Sequence, residues 1–192
     1  MKIEKTDLIF LPLGGSSEIG MNSNLYHYND SWIMVDLGIS FADETLPGID
    51  VLLPDIDFII ERRDKLKGIF LTHGHEDHMG AIQYIWDKLR VPIYGSPFTI
   101  ALLKKKLKES GLLKNVKLNI IEENKIVNIG PFKVKPVRLT HSIPDPLSLS
   151  ISTSVGTIFH TGDWKFDNNP QVGSKPNFEE IKSIGKKGVL AI

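Results

Sequence analysis

The chain has 192 residues, 41% of them hydrophobic, which suits one domain with a buried core. Lysine plus arginine and aspartate plus glutamate balance at 23 each, so a globally basic, nucleic-acid-type surface is excluded, and any RNA or DNA contact needs a local patch or a further segment. There is no cysteine, which excludes disulfides and thiolate metal sites.

The N-terminal stretch Met1 to Asp7 has no signal-peptide pattern. No apolar run approaches the ~20 residues needed to span a bilayer, so a soluble, cytoplasmic protein without a membrane partner is expected. Leu8 to Leu13 reads as a first strand. The glycine-rich loop Gly14 to Asn22 follows; its backbone can approach a metal or a phosphate, or its glycines can simply make a tight turn. Asn24 to Tyr28 and Ser31 to Asp36 read as a hairpin turning at Asn29-Asp30, with His27 a surface or partly buried strand residue. Asp36 ends a strand, where its carboxylate can either cap the strand or orient a ligand histidine by accepting its second ring N–H. Residues 39–56 form a long loop, of a length more often functional than idle. Asp57 to Leu66 is predicted as a short helix.

The rest of the chain is organised around Gly68 to Ala81. An apolar run, Ile69 to Leu71, ends in His73-Gly-His75-Glu-Asp77-His78, which holds half of the six histidines. A helix over 78–90 is predicted next, with Met79, Ile82, Ile85, Trp86 and Leu89 on one face. Two histidines two apart on an extended loop can point the same way, and Asp77 stands where a helix N-cap belongs. A histidine-rich polar turn is the plain alternative. Imidazole and carboxylate crowded into six residues, however, are the donors that divalent metals such as zinc take.

Val91 to Tyr94 reads as a strand, and Ser96-Pro97 opens a helix to about Glu109. Its lysines at 104, 105, 106 and 108 mark a solvated face, with an RNA-backbone contact the lesser reading. Strands follow at 117–121, 125–129 and 132–139. His141 lies just past the last of them and supplies the nitrogen that the first cluster still needs, while Asp145 reads as a loop cap. Leu147 to Thr153 and Thr157 to His160 form another hairpin. Asp163 then sits in a loop after a buried strand, where a single carboxylate can bridge two metals. His160 lies within the strand and reads as core or as a partner behind a ligand; Asp167 reads as structural. A helix over 177–187 and the start of a strand at 188–192 complete the chain, which breaks off within that apolar strand and so reads as truncated.

The motifs His73-Gly-His75-Glu-Asp77-His78, His141 and Asp163 resemble the metallo-β-lactamase superfamily. Leu13 to Asn22, Val35 to Gly38, Leu71 to Ala81, His141 to Asp145 and His160 to Asp163 look like the ribonuclease J family. The resemblance implies an α/β fold, a four-layer α/β/β/α sandwich with metals at one edge. It implies that His73, His75 and His141 bind one zinc, that Asp77 and His78 bind a second, and that Asp163 bridges them. Asp36 would match the family's orienting motif. Asp77 and Asp163 would be the carboxylates on which hydrolysis depends. It further implies a cytoplasmic nuclease that acts on RNA rather than DNA, 5′ to 3′ and internally, in mRNA turnover and rRNA maturation, and that is a homo-oligomer at full length. Residues 1–192 would be the N-terminal portion of the lactamase domain, without the β-CASP domain and the returning segment that supplies a further histidine. A small-molecule metallohydrolase and a non-catalytic fragment are the competing readings.

Overall fold

The computed structural model describes residues 3–192; the first two residues of the stretch read for a targeting signal lie outside it. A six-stranded sheet is built from β1 (Ile9–Gly14), β2 (Ser23–Tyr28), β3 (Ser31–Val35), β6 (Leu66–Phe70), β7 (Ile93–Gly95) and β8 (Leu118–Ile120), in that order across the sheet. The first three strands are antiparallel; β3, β6, β7 and β8 are parallel. A two-stranded ribbon of β4 (Ser40–Phe41) and β5 (Val51–Leu52) interrupts the long loop expected over 39–56. A second, fully antiparallel sheet contains β9 (Val127–Ile129), β10 (Phe132–Arg138), β11 (Leu147–Ser152) and β12 (Thr157–His160).

Three apolar layers explain how the sheets stack. Because successive strand side chains point to opposite faces, β3 sends Trp32 and Met34 one way and Ile33 and Val35 the other. The first face packs against α1 (Asp57–Ile60), α3 (Ile82–Leu89) and α4 (Pro97–Glu109) through Ile59, Ile82, Ile85, Trp86, Ile100 and Leu103. The second face meets Phe132, Val134, Leu149, Ile151 and Ile158 of the other sheet. On that sheet's far side Val137 and Phe159 are covered by Ile184 of α5 (Phe178–Lys187). This is the expected four-layer α/β/β/α order.

Most predicted elements are present with boundaries shifted by a residue or two. Asn29 and Asp30, with φ of 47° and 55°, make the hairpin turn where expected. Three expectations are corrected. The helix foreseen at 57–66 is helical only to Ile60, and Leu66 already belongs to β6. His27 is fully buried rather than at the surface, its Nδ1 lying 2.8 Å from the carbonyl of Asp7. The helix expected over 78–90 is two pieces, α2 (Glu76–Met79) and α3, separated at Gly80-Ala81. The last residues run beside β12, with Ala191 paired in parallel to Ile158 as an isolated bridge. Among the described residues no helix is long and apolar enough to cross a membrane.

Candidate metal centre

The proposed donors and Asp36 all sit in the segments that leave the C-terminal ends of four strands, with Asp77 and His78 on the short helix α2 and His160 at the last position of β12. Asp36 follows β3, His73 to His78 follow β6, His141 follows β10 and Asp163 follows β12. Two triads of donor atoms lie within 4.8 Å of one another: His73, His75 and His141, and His73, His78 and Asp163. The Nε2 of His73 is 3.0 Å from the Nδ1 of His75. Asp163 faces both groups, with Oδ1 3.4 Å from His78 Nε2 and Oδ2 3.5 Å from His141 Nε2. Asp77 falls in neither triad; its Oδ2 stands 3.5 Å from His78 Nε2, on the flank.

Asp77 is not the helix N-cap. That position belongs to His75, whose extended φ and ψ of −73° and 154° turn the chain into α2, and whose carbonyl accepts from the N–H groups of His78 and Met79. Asp77 lies inside the first turn, with its carboxylate free to face the histidines.

Behind the cluster, Asp36 is fully buried in the left-handed region at φ 62°, a conformation that Asp adopts more readily than most residues. Its Oδ1 accepts the backbone N–H of Thr72 at 2.8 Å, and its Oδ2 accepts the Thr72 hydroxyl at 2.8 Å and faces His78 Nδ1 at 2.7 Å. A carboxylate can only accept, so the single hydroxyl proton of Thr72 is committed to Asp36. The Thr72 oxygen therefore accepts from His73 Nδ1, 3.0 Å away. This fixes the tautomer of His73 and leaves the Nε2 lone pair facing the cluster. Asp36 fixes His78 in the same way, with Nδ1–H directed at the carboxylate. That outer carboxylate, directed at the far side of a histidine, is the arrangement that sets ligand tautomer and ring orientation at metal sites.

Electrostatics follow the geometry. Burial, reinforced by the charge of His78, pulls His73 down to about 3, so it stays a neutral donor. Burial also lowers His141, against the pull of Asp163. At His78 burial opposes the charge, but Asp36 outweighs it, together with hydrogen bonds to Asp163 and Asp36, raising the ring to about 10. The hydrogen bond to His78, against burial, draws Asp163 down to about 2. The donor set is nitrogen and oxygen only, convergent and neutral-plus-anionic, which fits a divalent cation.

Sequence reasoning missed three supporting residues. Thr72 is the hub just described, and its carbonyl also accepts the N–H of Leu147 at 2.9 Å, tying the two sheets together at the site. Asn22, at the end of the glycine-rich loop, places Nδ2 3.1 Å from His78 Nε2, while its N–H bonds the carbonyl of Asp77. Tyr26 holds His160, hydroxyl to Nδ1, at 2.7 Å across the sheets. His160 is thus half-buried at the end of β12, within the electrostatic reach of Asp36, and burial first of all lowers its pKa. A threonine directly before a histidine, and an asparagine closing a glycine loop, were the available signals.

Comparison with known proteins identifies the family and the fold. Residues 19–184 match the model of the metallo-beta-lactamase superfamily. The chain is 46% identical over 190 residues to ribonuclease J of Sinorhizobium meliloti, covering 97% of this chain and 34% of that protein. It is 38% identical over 192 residues to ribonuclease J 2 of Staphylococcus aureus, again covering 34% of it. The chain thus spans about a third of the length of the curated relatives it matches. Among solved structures, the metallo-beta-lactamase fold protein YhfI of Bacillus subtilis superposes with a TM-score of 0.59 at 16% identity, over 83% of this chain and 64% of that one. By motif, fold and sequence, the chain belongs to the metallo-beta-lactamase superfamily.

Proposed function

We propose that this chain is the metal-binding portion of a ribonuclease of ribonuclease J type, hydrolysing RNA phosphodiesters from the 5′ end and internally with two zinc ions. The observation that carries the reading is Asp163, whose two carboxylate oxygens each face a different histidine group. The similarity to ribonuclease J over 97% of the chain supports the choice of RNA within a superfamily of varied hydrolases. With that choice go a cytoplasmic setting, a homo-oligomeric longer protein, and roles in mRNA decay and rRNA maturation.

His73, His75 and His141 would hold one cation, Asp77 and His78 the other, and Asp163 both. Two cations in such a site supply Lewis-acid activation of a phosphoryl oxygen and of water at neutral pH. The chain's own contribution is to hold that donor set ready. Thr72 and Asp36 lock the rings so that no reorientation is needed on binding. The carboxylates of Asp77 and Asp163 balance the charge of bound cations.

Asp163→Ala tests this. Zinc per chain after dialysis should fall by at least one ion, and cleavage of a single-stranded RNA should fall by about 10²–10³-fold or more, the scale seen when one preorganised electrostatic contact is lost. Cleavage that persists in excess chelator would sink the reading. Turnover of a lactam or thioester in place of RNA would move it to a small-molecule hydrolase.

A further inference from the structure

A cleft of about 220 Å³ with a mixed polar and apolar lining opens beside His141, between the loop carrying that residue and the loop over 165–174. Its polar lining includes His141, Ser142, Lys165, Gln171, Ser174 and Arg138, with the carboxylates of Asp145 and Asp167. Its two cations differ in what they are free to do. Arg138 is committed, with Nε donating to the carbonyl of Lys175 at 2.9 Å and Nη1 2.9 Å from Glu123. Among the described residues Lys165 has one loose partner, Asp167 at 3.6 Å, and its side chain is 56% exposed.

The backbone under Lys165 is held firmly. Its N–H donates to the carbonyl of Thr140 at 2.7 Å, and its own carbonyl accepts the Thr140 hydroxyl at 2.6 Å. The N–H of Asp167 donates to the same hydroxyl at 3.1 Å. Alternation along this extended segment turns Trp164 and Phe166 to an apolar groove on the other side and Lys165 to the cleft. Lys165 is two residues from Asp163, one strand repeat of about 6.5 Å along the backbone. A lysine whose backbone is held firmly and whose ammonium has slack in its ion pair thus lines a cleft that already contains His141.

We infer that this cleft seats the nucleotide flanking the bond to be cut and that Lys165 contacts its phosphate. The inference rests on the phosphodiesterase reading above and assigns to Lys165 a positioning role outside the metal shell. The hydroxyl and amide groups of Ser142, Gln171 and Ser174 give the cleft hydrogen-bonding capacity for a sugar. The lysines exposed on α4 offer only diffuse attraction, and this difference is what the test resolves.

The experiment measures fluorescence anisotropy of a labelled single-stranded oligoribonucleotide with the metal-stripped chain over a range of salt concentrations, so that binding is read apart from cleavage. Lys165→Gln should weaken binding by about 5–10-fold and make the log–log salt dependence shallower by about 0.7, the increment for one phosphate contact on a single strand. Lys165→Arg should restore most of both, and in the zinc-loaded variants the zinc content and melting temperature should not change. Lys104→Gln on α4 should have a much smaller effect. Undetectable binding by the unsubstituted chain, equal binding by Lys165→Gln, or equal losses in Lys165→Gln and Lys104→Gln would overturn the inference. Failure of the phosphodiesterase reading shows instead in the zinc and cleavage assays of Asp163→Ala.

Discussion

Replacing Asp36 with alanine is expected to lower zinc affinity by about 10–100-fold, as loss of an outer carboxylate does at metal sites, and to destabilise the metal-free chain by roughly 3–5 kcal/mol, as loss of one partner from a buried ion pair does. Asp36 touches no cation in the proposed scheme, so both effects run through what it holds. Its removal strands the Thr72 N–H, the Thr72 hydroxyl and His78 Nδ1, all buried. The Thr72 hydroxyl is then released to rotate, and His73 loses the contact that fixes its tautomer. Asp36→Asn keeps the volume but presents a donor to one of these groups, so stability should recover in part while zinc affinity should not. Zinc titration and urea denaturation of both variants check this; unchanged zinc affinity in Asp36→Ala would refute it.

Gly38→Ala is expected to unseat the centre without changing any donor. A Cβ on Gly38 would lie 1.7 Å from the carbonyl oxygen of Asp77 and 2.7 Å from the His78 nitrogen. These are backbone atoms and cannot swing aside as a side chain would. The segment that carries Gly38 is laced to α2: the N–H groups of Leu37 and Ile39 donate to the carbonyls of His78 and Glu76, and Asn22 donates to Asp77. An added methyl must therefore drive α2 outward and drag Asp77 and His78 with it. Overpacking of this kind costs about 1–3 kcal/mol, and more where backbone must move. The measurements are zinc per chain and the thermal midpoint, with loss of at least one zinc expected. A variant that keeps full zinc content would show that α2 is not held as described.

The same lacing explains what could and could not be read from the sequence. The donors were legible because loops after apolar strands, dense in histidine and aspartate, leave few other chemistries open. The apolar face Met79, Ile82, Ile85, Trp86 and Leu89 was legible as well, and all five are buried. The break at Gly80-Ala81 was not. Continuous helical periodicity says nothing about the carbonyls of Asp77 and His78, which are taken by Asn22 and Leu37 instead of by the next helical turn. Those partners lie some forty to fifty-five residues away, and local pattern cannot see them. The N-cap was placed at Asp77, two positions past the residue that holds it, because the extended backbone of His75 is not visible in local pattern. Thr72 was hidden differently. Its importance comes from standing where both sheets and Asp36 meet, which its place directly before a histidine hints at but cannot specify. Gly162, at φ 59° with a would-be Cβ 2.9 Å from Thr72, is the matching contact from the second sheet.

The three layers of core have a further consequence for the metal centre. His73, His75 and His78 ride on the six-stranded sheet, whereas His141 and Asp163 ride on the four-stranded one. A cation bound by both sets is a cross-link between the two halves of the sandwich, and it recognises only their closed arrangement. By linkage, whatever favours closure raises cation affinity, and the cation returns the same free energy to closure. Ile151, wholly buried in the shared core and itself no donor, becomes part of the site in this thermodynamic sense. Ile151→Ala should weaken zinc binding in a calorimetric titration while leaving every ligand in place.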